Sequence, residues 1–509
     1  MELRRLVGHN MAQTLTGLAR RPIGVALGLL LLALALRAGT LGNPLDGFDE
    51  QFYLLVGDRM VHAHALPYVD IFDRKPLGLF LIAAAACLTP GDPLIPFQLL
   101  ALLSATGTAW IIHALVRRSA GERAAWGGAA IYLAWLAFLE NGGAQAQVFL
   151  NLFMAAAALL TARALAEPRA LVRHGTLAML AAGVALQIKP TCVVEAAAFG
   201  LALLWSAHPA GARPARVAGL ALLWIAVGLA PTLLALLTYI ALGHADAFVF
   251  ALFVSPLHKL ADAAQVARTG ALQIAAILAL PAVLAGLAPR AATTGQRTNR
   301  RFVYLWLAAA LAGLVAWGVF TSPQYAMGVL LPLSIAAGYG FEARRARGFG
   351  PALALIGVIA SEILVFNLRQ MRGGPIQATA LARAAQPTTG CLFVYDGPPA
   401  LYRLTRSCLL SPYVFPGHLD MANEASPKSL GVDPVAEIER IMRLRPETVV
   451  DTHPSYALGN RATHAILARY LARDYRLVLA LELRPGSTKL VYRLAAPLPP
   501  PVPRAMMRP

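Results

Sequence analysis

One pattern narrows the folds open to this chain: a long apolar run, then a short polar connection, repeated to about residue 367. Such runs occupy residues 23–38, 94–116, 124–139, 144–166, 175–188, 191–207, 216–242, 270–288, 302–320, 324–341 and 350–367. A helix rises about 1.5 Å per residue, so roughly twenty apolar residues cross a hydrocarbon core. Lipid offers the backbone no hydrogen bonds, and a helix satisfies its own. Only 14% of the 509 residues are charged, and mean hydropathy is +0.59. That composition excludes a soluble globule and leaves a polytopic α-helical membrane protein.

The net charge of +18 invites a nucleic-acid partner. The distribution argues for none, because the basic residues cluster between apolar runs, as cytoplasmic loops do. Arg4, Arg5, Arg20 and Arg21 precede the first run and place the N-terminus in the cytoplasm. Arg117 and Arg118 with Arg123, Arg163 to Arg173, Arg213 with Arg216, Arg290 to Arg301, and Arg344 to Arg347 belong on the same side. The alternation works only if 77–89 does not cross. That run is about half a span long and is broken by Pro90-Gly91-Asp92-Pro93. It reads as a re-entrant or interfacial helix on the outer side. About eleven spanning helices follow, and an odd number puts the C-terminal part outside. The first run lacks a small-x-small exit, so it reads as a retained helix and not a cleaved signal.

Past Met371 the character changes. Cys391 to Tyr395, Thr448 to Asp451, Leu477 to Leu481 and Lys489 to Leu494 read as strands. Asp433 to Leu444 and His464 to Tyr475 have helical spacing. The organisation is therefore a membrane domain over 1–385, a small α/β outer domain over 386–496 and a disordered Pro-rich tail over 497–509. Cys87 and Cys192 sit in apolar runs and read as buried small hydrophobes. Cys391 and Cys408 flank one turn of the outer domain, where an oxidising compartment favours a disulfide. No Cys/His spacing suggests zinc, and no Gly-rich phosphate loop suggests a nucleotide-driven pump.

The chemistry is concentrated between the first two long runs. Asp46-Gly47-Phe48-Asp49-Glu50-Gln51-Phe52-Tyr53 is followed by Leu66-Pro67-Tyr68-Val69-Asp70-Ile71-Phe72-Asp73-Arg74-Lys75-Pro76. A chain this apolar carries few charges, and a cluster of them beside the membrane marks a candidate site. A first helix, an outer Asp-Glu pair, a Pro-Tyr-x-Asp run and a Lys-Pro step resemble the GT-C superfamily of membrane glycosyltransferases. The resemblance is to bacterial members of the dolichyl-phosphate-mannose–protein mannosyltransferase group. Asn141 to Phe153 resembles that group's second outer loop and following helix. Pro323-Gln324-Tyr325 with Pro332 resembles its late His-Tyr…Pro helix. Leu401-Tyr402-Arg403-Leu404-Thr405 with Phe415-Pro416 resembles the outer domain of some bacterial members. The chain departs from the group at Gln147, where many relatives carry an acid, and at Gln324, where many carry His. Arg74 replaces an acid that binds a metal in some relatives, which argues against a divalent cation; no cofactor is otherwise implied.

The resemblance implies an enzyme of the bacterial inner membrane with a periplasmic C-terminal domain. It would take a sugar from a polyprenyl-phosphate donor and pass it, with inversion, to an acceptor hydroxyl at the outer boundary. The acceptor would be a protein, a lipid, lipopolysaccharide core or another envelope glycan. A carboxylate near an apolar boundary suits the base, since partial desolvation raises its basicity. Asp49 is assigned that role, with Glu50 as helper. Lys75 and Arg74 would neutralise the departing phosphate. Lys189 is a further phosphate candidate, or else a snorkelling structural lysine. His258 and Lys259 would line the same cavity or form a simple interfacial pair. Tyr53, Tyr68 and Tyr325 would stack on sugar or serve as belt aromatics. Asp70, Asp73 and Gln147 complete the expected cavity. Two other classes stay open: a lipid-linked sugar flippase, for which related halves and mid-membrane charges are missing, and a glycan polymerase or ligase, which would not predict the Asp-Glu loop.

Overall fold

A computed structural model describes residues 22–139, 143–208, 214–261, 264–318, 320, 322–344 and 346–495. Arg4, Arg5, Arg20, Arg21, Asn141, Arg213 and the tail from Pro497 lie outside the described residues. Each of the eleven apolar runs is a helix: Pro22–Arg37, Leu94–Arg117, Glu122–Leu139, Ala146–Ala166, Leu171–Leu186, Val193–Ala207, Pro214–Ala241, Ala264–Gly286, Thr294–Trp317, Met327–Gly340 and Ala346–Arg372. Among the described residues, seven helices are long and apolar enough to cross a membrane. Four of the eleven fall short of that measure: Pro22–Arg37, Glu122–Leu139, Leu171–Leu186 and Met327–Gly340. Residues 77–89 hold the expected short helix, Leu77–Cys87.

Burial sorts the helices. Met327–Gly340 is buried on every side, and its sequence, apolar but for Ser334 and the Tyr339 hydroxyl, fits a central position. Pro214–Ala241 turns Leu222, Ile225, Leu234 and Leu237 outward, a face suited to lipid. Local signals agree with the boundaries. Thr293 and Gln296 form a reciprocal capping box that opens Thr294–Trp317.

The bundle has two unlike ends. At one, Arg300 donates to the Ser119 carbonyl, Asn299 to Ser119 Oγ, and Glu342 accepts from Gly121 N. These contacts gather the basic connections near Arg117, Arg290 and Arg344. At the other end, Tyr239 donates to the Pro67 carbonyl and Asn43 to the Gly373 carbonyl. That end carries the acid-rich loop and the sheet.

The sheet has the order β1-β2-β4-β3, with β1 Leu392–Val394, β2 Thr448–His453, β3 Tyr475–Arg484 and β4 Ser487–Leu494. β1 runs parallel to β2, pairing Phe393 with Val449; β4 runs antiparallel to both neighbours, pairing Val491 with Val450. Helices Pro434–Arg443 and Arg461–Asp474 begin at Asp433 and Asn460, whose side chains accept from the first turn. Helix Pro375–Ala385 packs against the sheet as well. Cys391 and Cys408 are joined by a disulfide, and Cys87 and Cys192 are buried thiols. The sheet unit sits on the acid-rich loop: Phe72 N donates to the Pro412 carbonyl at 3.0 Å, and Phe72 packs on Tyr413 and His418.

Candidate active site

The helix Phe48–Ala63 starts where Gly47 turns the chain at φ +61°. A Cβ at Gly47 would overlap the Glu50 carboxylate, which folds back over this turn. Asp49 and Glu50 both sit in the first helical turn, where the helix dipole favours negative charge. Successive helical residues point about 100° apart, so the two acids separate. Glu50 is buried at 5% exposure and accepts from Gln145 Nε2 at 3.3 Å. Asp49 instead lines a cavity of about 380 Å³, shared with Gln51, Gln145 and Gln324. Its far wall is basic, made of Arg372 and, from the sheet, Arg484 and Lys489. Sequence reasoning missed these three. Arg484 and Lys489 lie in strands far along the chain, and nothing local distinguishes them from surface charges.

The Lys-Pro step is held by its neighbours. Asp73 Oδ1 accepts from the backbone N–H of both Arg74 and Lys75 and bends the chain toward helix Leu77–Cys87. Tyr68 adopts φ +70°, a conformation that bulky residues avoid. Three contacts fix it there: its N–H on the Ile71 carbonyl, its hydroxyl on the Lys75 carbonyl at 2.8 Å, and its ring against Tyr239 and Phe248. Asp70 caps Leu66 N at 2.6 Å and is exposed. Tyr68, Asp70 and Asp73 therefore shape the loop; none of them lines the Asp49 cavity, and neither do Lys75, Lys189, Tyr53, Gln147 or Tyr325.

Lys75 and Lys189 come together because Gly78 lets the Leu77–Cys87 helix approach the 186–189 connection. A Cβ on Gly78 would lie 2.7 Å from the Gln187 carbonyl oxygen. Burial alone would lower the Lys75 pKa, but Asp73, 4.0 Å from its Nζ, and Asp49 raise it to about 12. Lys189 lies in the connection before Pro190, with its Nζ 4.3 Å above the Tyr325 ring. Burial first, and then the Lys75 charge, lower it to about 7, against a smaller opposing pull from Asp49. No described carboxylate forms an ion pair with it. Tyr53 lies beneath Lys75, its ring 5.6 Å from Nζ. Burial, then Asp49 and Asp73, hold its phenol well above the ordinary value. The Tyr53 hydroxyl and both ends of the Gln147 amide are buried with no hydrogen-bond partner among the described residues. Such orphaned groups cost about 1–3 kcal/mol each.

Two assignments change. Arg74 was expected beside Lys75 on phosphate. Its guanidinium instead makes a bidentate pair with Glu424 at 2.7 Å, and it also donates to Ser255 Oγ and the Ser429 carbonyl. With those donors engaged, Arg74 fastens the loop to the sheet unit. Lys259, expected in the cavity, lies 3.3 Å from the same Glu424, while His258 is exposed; neither lines the Asp49 cavity. Glu424 gave no signal in the sequence, being an ordinary acid in a short polar stretch. Among the described residues, no three His, Cys, Asp or Glu side chains come together to hold a metal ion.

Residues 73–235 match the family described as dolichyl-phosphate-mannose-protein mannosyltransferase. That stretch includes Lys75, Gln147 and Lys189. The architecture superposes on ArnT from Cupriavidus metallidurans bound to undecaprenyl phosphate. The TM-score is 0.60 at 15% identity, over 94% of this chain and 98% of that one. This chain has the GT-C fold. The apo state of the same ArnT gives a TM-score of 0.60 at 16% identity, over 92% of this chain and 98% of that chain. No curated protein sequence matches the chain. The GT-C likeness runs through the helical bundle and the small sheet domain alike, so the Asp49 loop sits within a shared architecture.

Proposed function

We propose that this protein is an inverting glycosyltransferase that moves a sugar from a polyprenyl-phosphate donor to an acceptor hydroxyl on an envelope glycan, lipid or protein. It would act at the outer face of a bacterial inner membrane, with the basic connections in the cytoplasm and the sheet unit in the periplasm. The observation that carries this reading is the open Asp49 carboxylate with two lysines that feel its charge from outside the cavity lining, the partly exposed Lys75 and the buried Lys189. The undecaprenyl phosphate in the similar ArnT crystal supports a lipid phosphate as donor leaving group.

In the proposed reaction Asp49 accepts the proton of the acceptor hydroxyl as that oxygen bonds to the sugar C1. The bond from C1 to the phosphate oxygen breaks on the opposite face, and its electron pair leaves with the polyprenyl phosphate. Lys75 and Lys189 stabilise the growing charge. Glu50 positions the helix start and Gln145 and does not meet the substrate.

The test is sugar transfer from a polyprenyl-phosphate donor in proteoliposomes. Asp49→Asn should lower turnover roughly 100-fold or more with donor binding little changed. Glu50→Gln should cost less in turnover and more in protein stability. Full activity of Asp49→Asn would overturn the assignment.

A further inference from the structure

A second polar cavity lies inside the sheet unit, away from the Asp49 wall. It measures about 120 Å³ and is lined by Tyr395, Asp396, Asp420, Asp451, Tyr456 and His464, among others. It sits past the carboxyl ends of the parallel strands β1 and β2, beside the start of helix Arg461–Asp474. Open α/β sheets bind ligands at that place. Asp420 is 8% exposed and Asp451 6%, yet Oδ1 of each has no hydrogen-bond partner among the described residues. Both residues line the cavity, and their two buried, unpartnered carboxylate oxygens call for donors that the protein does not supply.

The chemistry of those donors is constrained. Basic groups already stand beside the acids: Lys489 Nζ is 3.3 Å from Asp396, His464 Nε2 is 3.4 Å from Asp451, and Arg461 lines the same cavity. A further full positive charge is not required, and no metal-holding group of side chains is present among the described residues. Neutral hydroxyl donors fit better. Burial first, and then Asp396 and Asp451, raise the Asp420 carboxyl well above the usual range. Tyr395 is buried and fixed by its hydroxyl against Thr463 Oγ1 at 2.9 Å, and Tyr456 stands half-exposed at the rim, giving an aromatic face for an apolar ring surface. Vicinal hydroxyls on a ring with an apolar face describe a saccharide.

We infer that this cavity is a saccharide-binding site in which Asp420 and Asp451 accept hydrogen bonds from sugar hydroxyls. Lys489 joins it to the Asp49 cavity, since the same side chain reaches Asp396 on one side and lines the other cavity. A glycan held here would extend toward Asp49; that extension alone rests on the glycosyl-transfer reading.

Saturation-transfer NMR on the full-length protein tests the site, in a detergent without a sugar headgroup, with methyl glycosides of mannose, glucose, galactose and arabinose as probes. At least one should show saturation transfer that Asp451→Asn weakens about tenfold, the scale of a lost charge-assisted hydrogen bond. Tyr456→Ala, a rim change that leaves the buried acids in place, should weaken it as well. Asp49→Asn should leave it intact even where transfer is abolished, which separates this site from the catalytic one. No signal from any probe with the wild type, or signals in both Asp451→Asn and Tyr456→Ala that match the wild type, would overturn the assignment.

Discussion

On the proposed reading, Lys189 should make donor binding depend on pH in a way the other cations do not. In the protein alone, burial and Lys75 hold it at about 7. A sugar phosphodiester carries one negative charge at every pH of interest and binds best when Lys189 is protonated. Donor binding therefore pulls its pKa upward, and the proton must be supplied wherever the free group is neutral. With a free value of 7, the protonated fraction falls from about nine-tenths at pH 6 to about one-tenth at pH 8. Affinity should therefore weaken roughly tenfold, about 1.4 kcal/mol, between those two pH values. Lys75, held near 12, adds no slope in that window. The assay is equilibrium binding of a fluorescent polyprenyl-phosphate sugar to protein in nanodiscs from pH 5.5 to 8.5. Lys189→Arg should bind with a flat profile, because a guanidinium stays charged. A flat wild-type profile, or a slope that survives Lys189→Arg, would refute the reasoning.

Other consequences are more local. Tyr68→Phe removes the hydrogen bond to the Lys75 carbonyl and should lower stability by about 1–2 kcal/mol, read as a fall in Tm, with a few-fold loss of transfer. Glu424→Gln leaves Arg74 buried without its partner charge and should cost about 3–5 kcal/mol. Limited proteolysis should then cut near the 72–76 loop, where the wild type resists.

Much of this fold was legible because lipid leaves a chain few choices. Every apolar run became a helix, and the strands after Cys391 fell where alternation and turns had marked them. The proposed site was legible in part as a set of candidates. Asp49, Lys75 and Lys189 could be named because charges are rare here, and the divergence of Asp49 from Glu50 follows from helical geometry. What could not be read was pairing at long range. Arg74 and Lys75 look alike in sequence, yet Glu424, 350 residues away, takes up Arg74. Gly78 gave no hint that it would bring two lysines together. The basic wall of Arg372, Arg484 and Lys489 exists only once the sheet is docked.

The charges around the loop explain why two adjacent cations have different fates. Arg74 is matched by Glu424 and Lys75 by Asp73, which leaves Asp49 as the acid facing the cavity and Lys189 as a cation whose charge is half lost when the site is empty. Burying an unmatched charge is expensive, so the empty site lowers its cost by releasing the Lys189 proton. In the proposed reaction the donor brings one negative charge and Lys189 takes up a proton, so the site stays balanced. Transfer then makes a phosphate monoester of charge near −1.5 to −2 at pH 7, roughly the figure for a phosphorylated side chain. The acceptor proton on Asp49 offsets that increase. The net negative charge of the site thus rises only when Asp49 gives its proton to water. From that point the product phosphate faces two lysines and a restored carboxylate, and repulsion from Asp49 favours its departure. The acid that accepts the proton is in this way also the group that helps expel the product, a role that Glu50, buried against Gln145, has no position to fill.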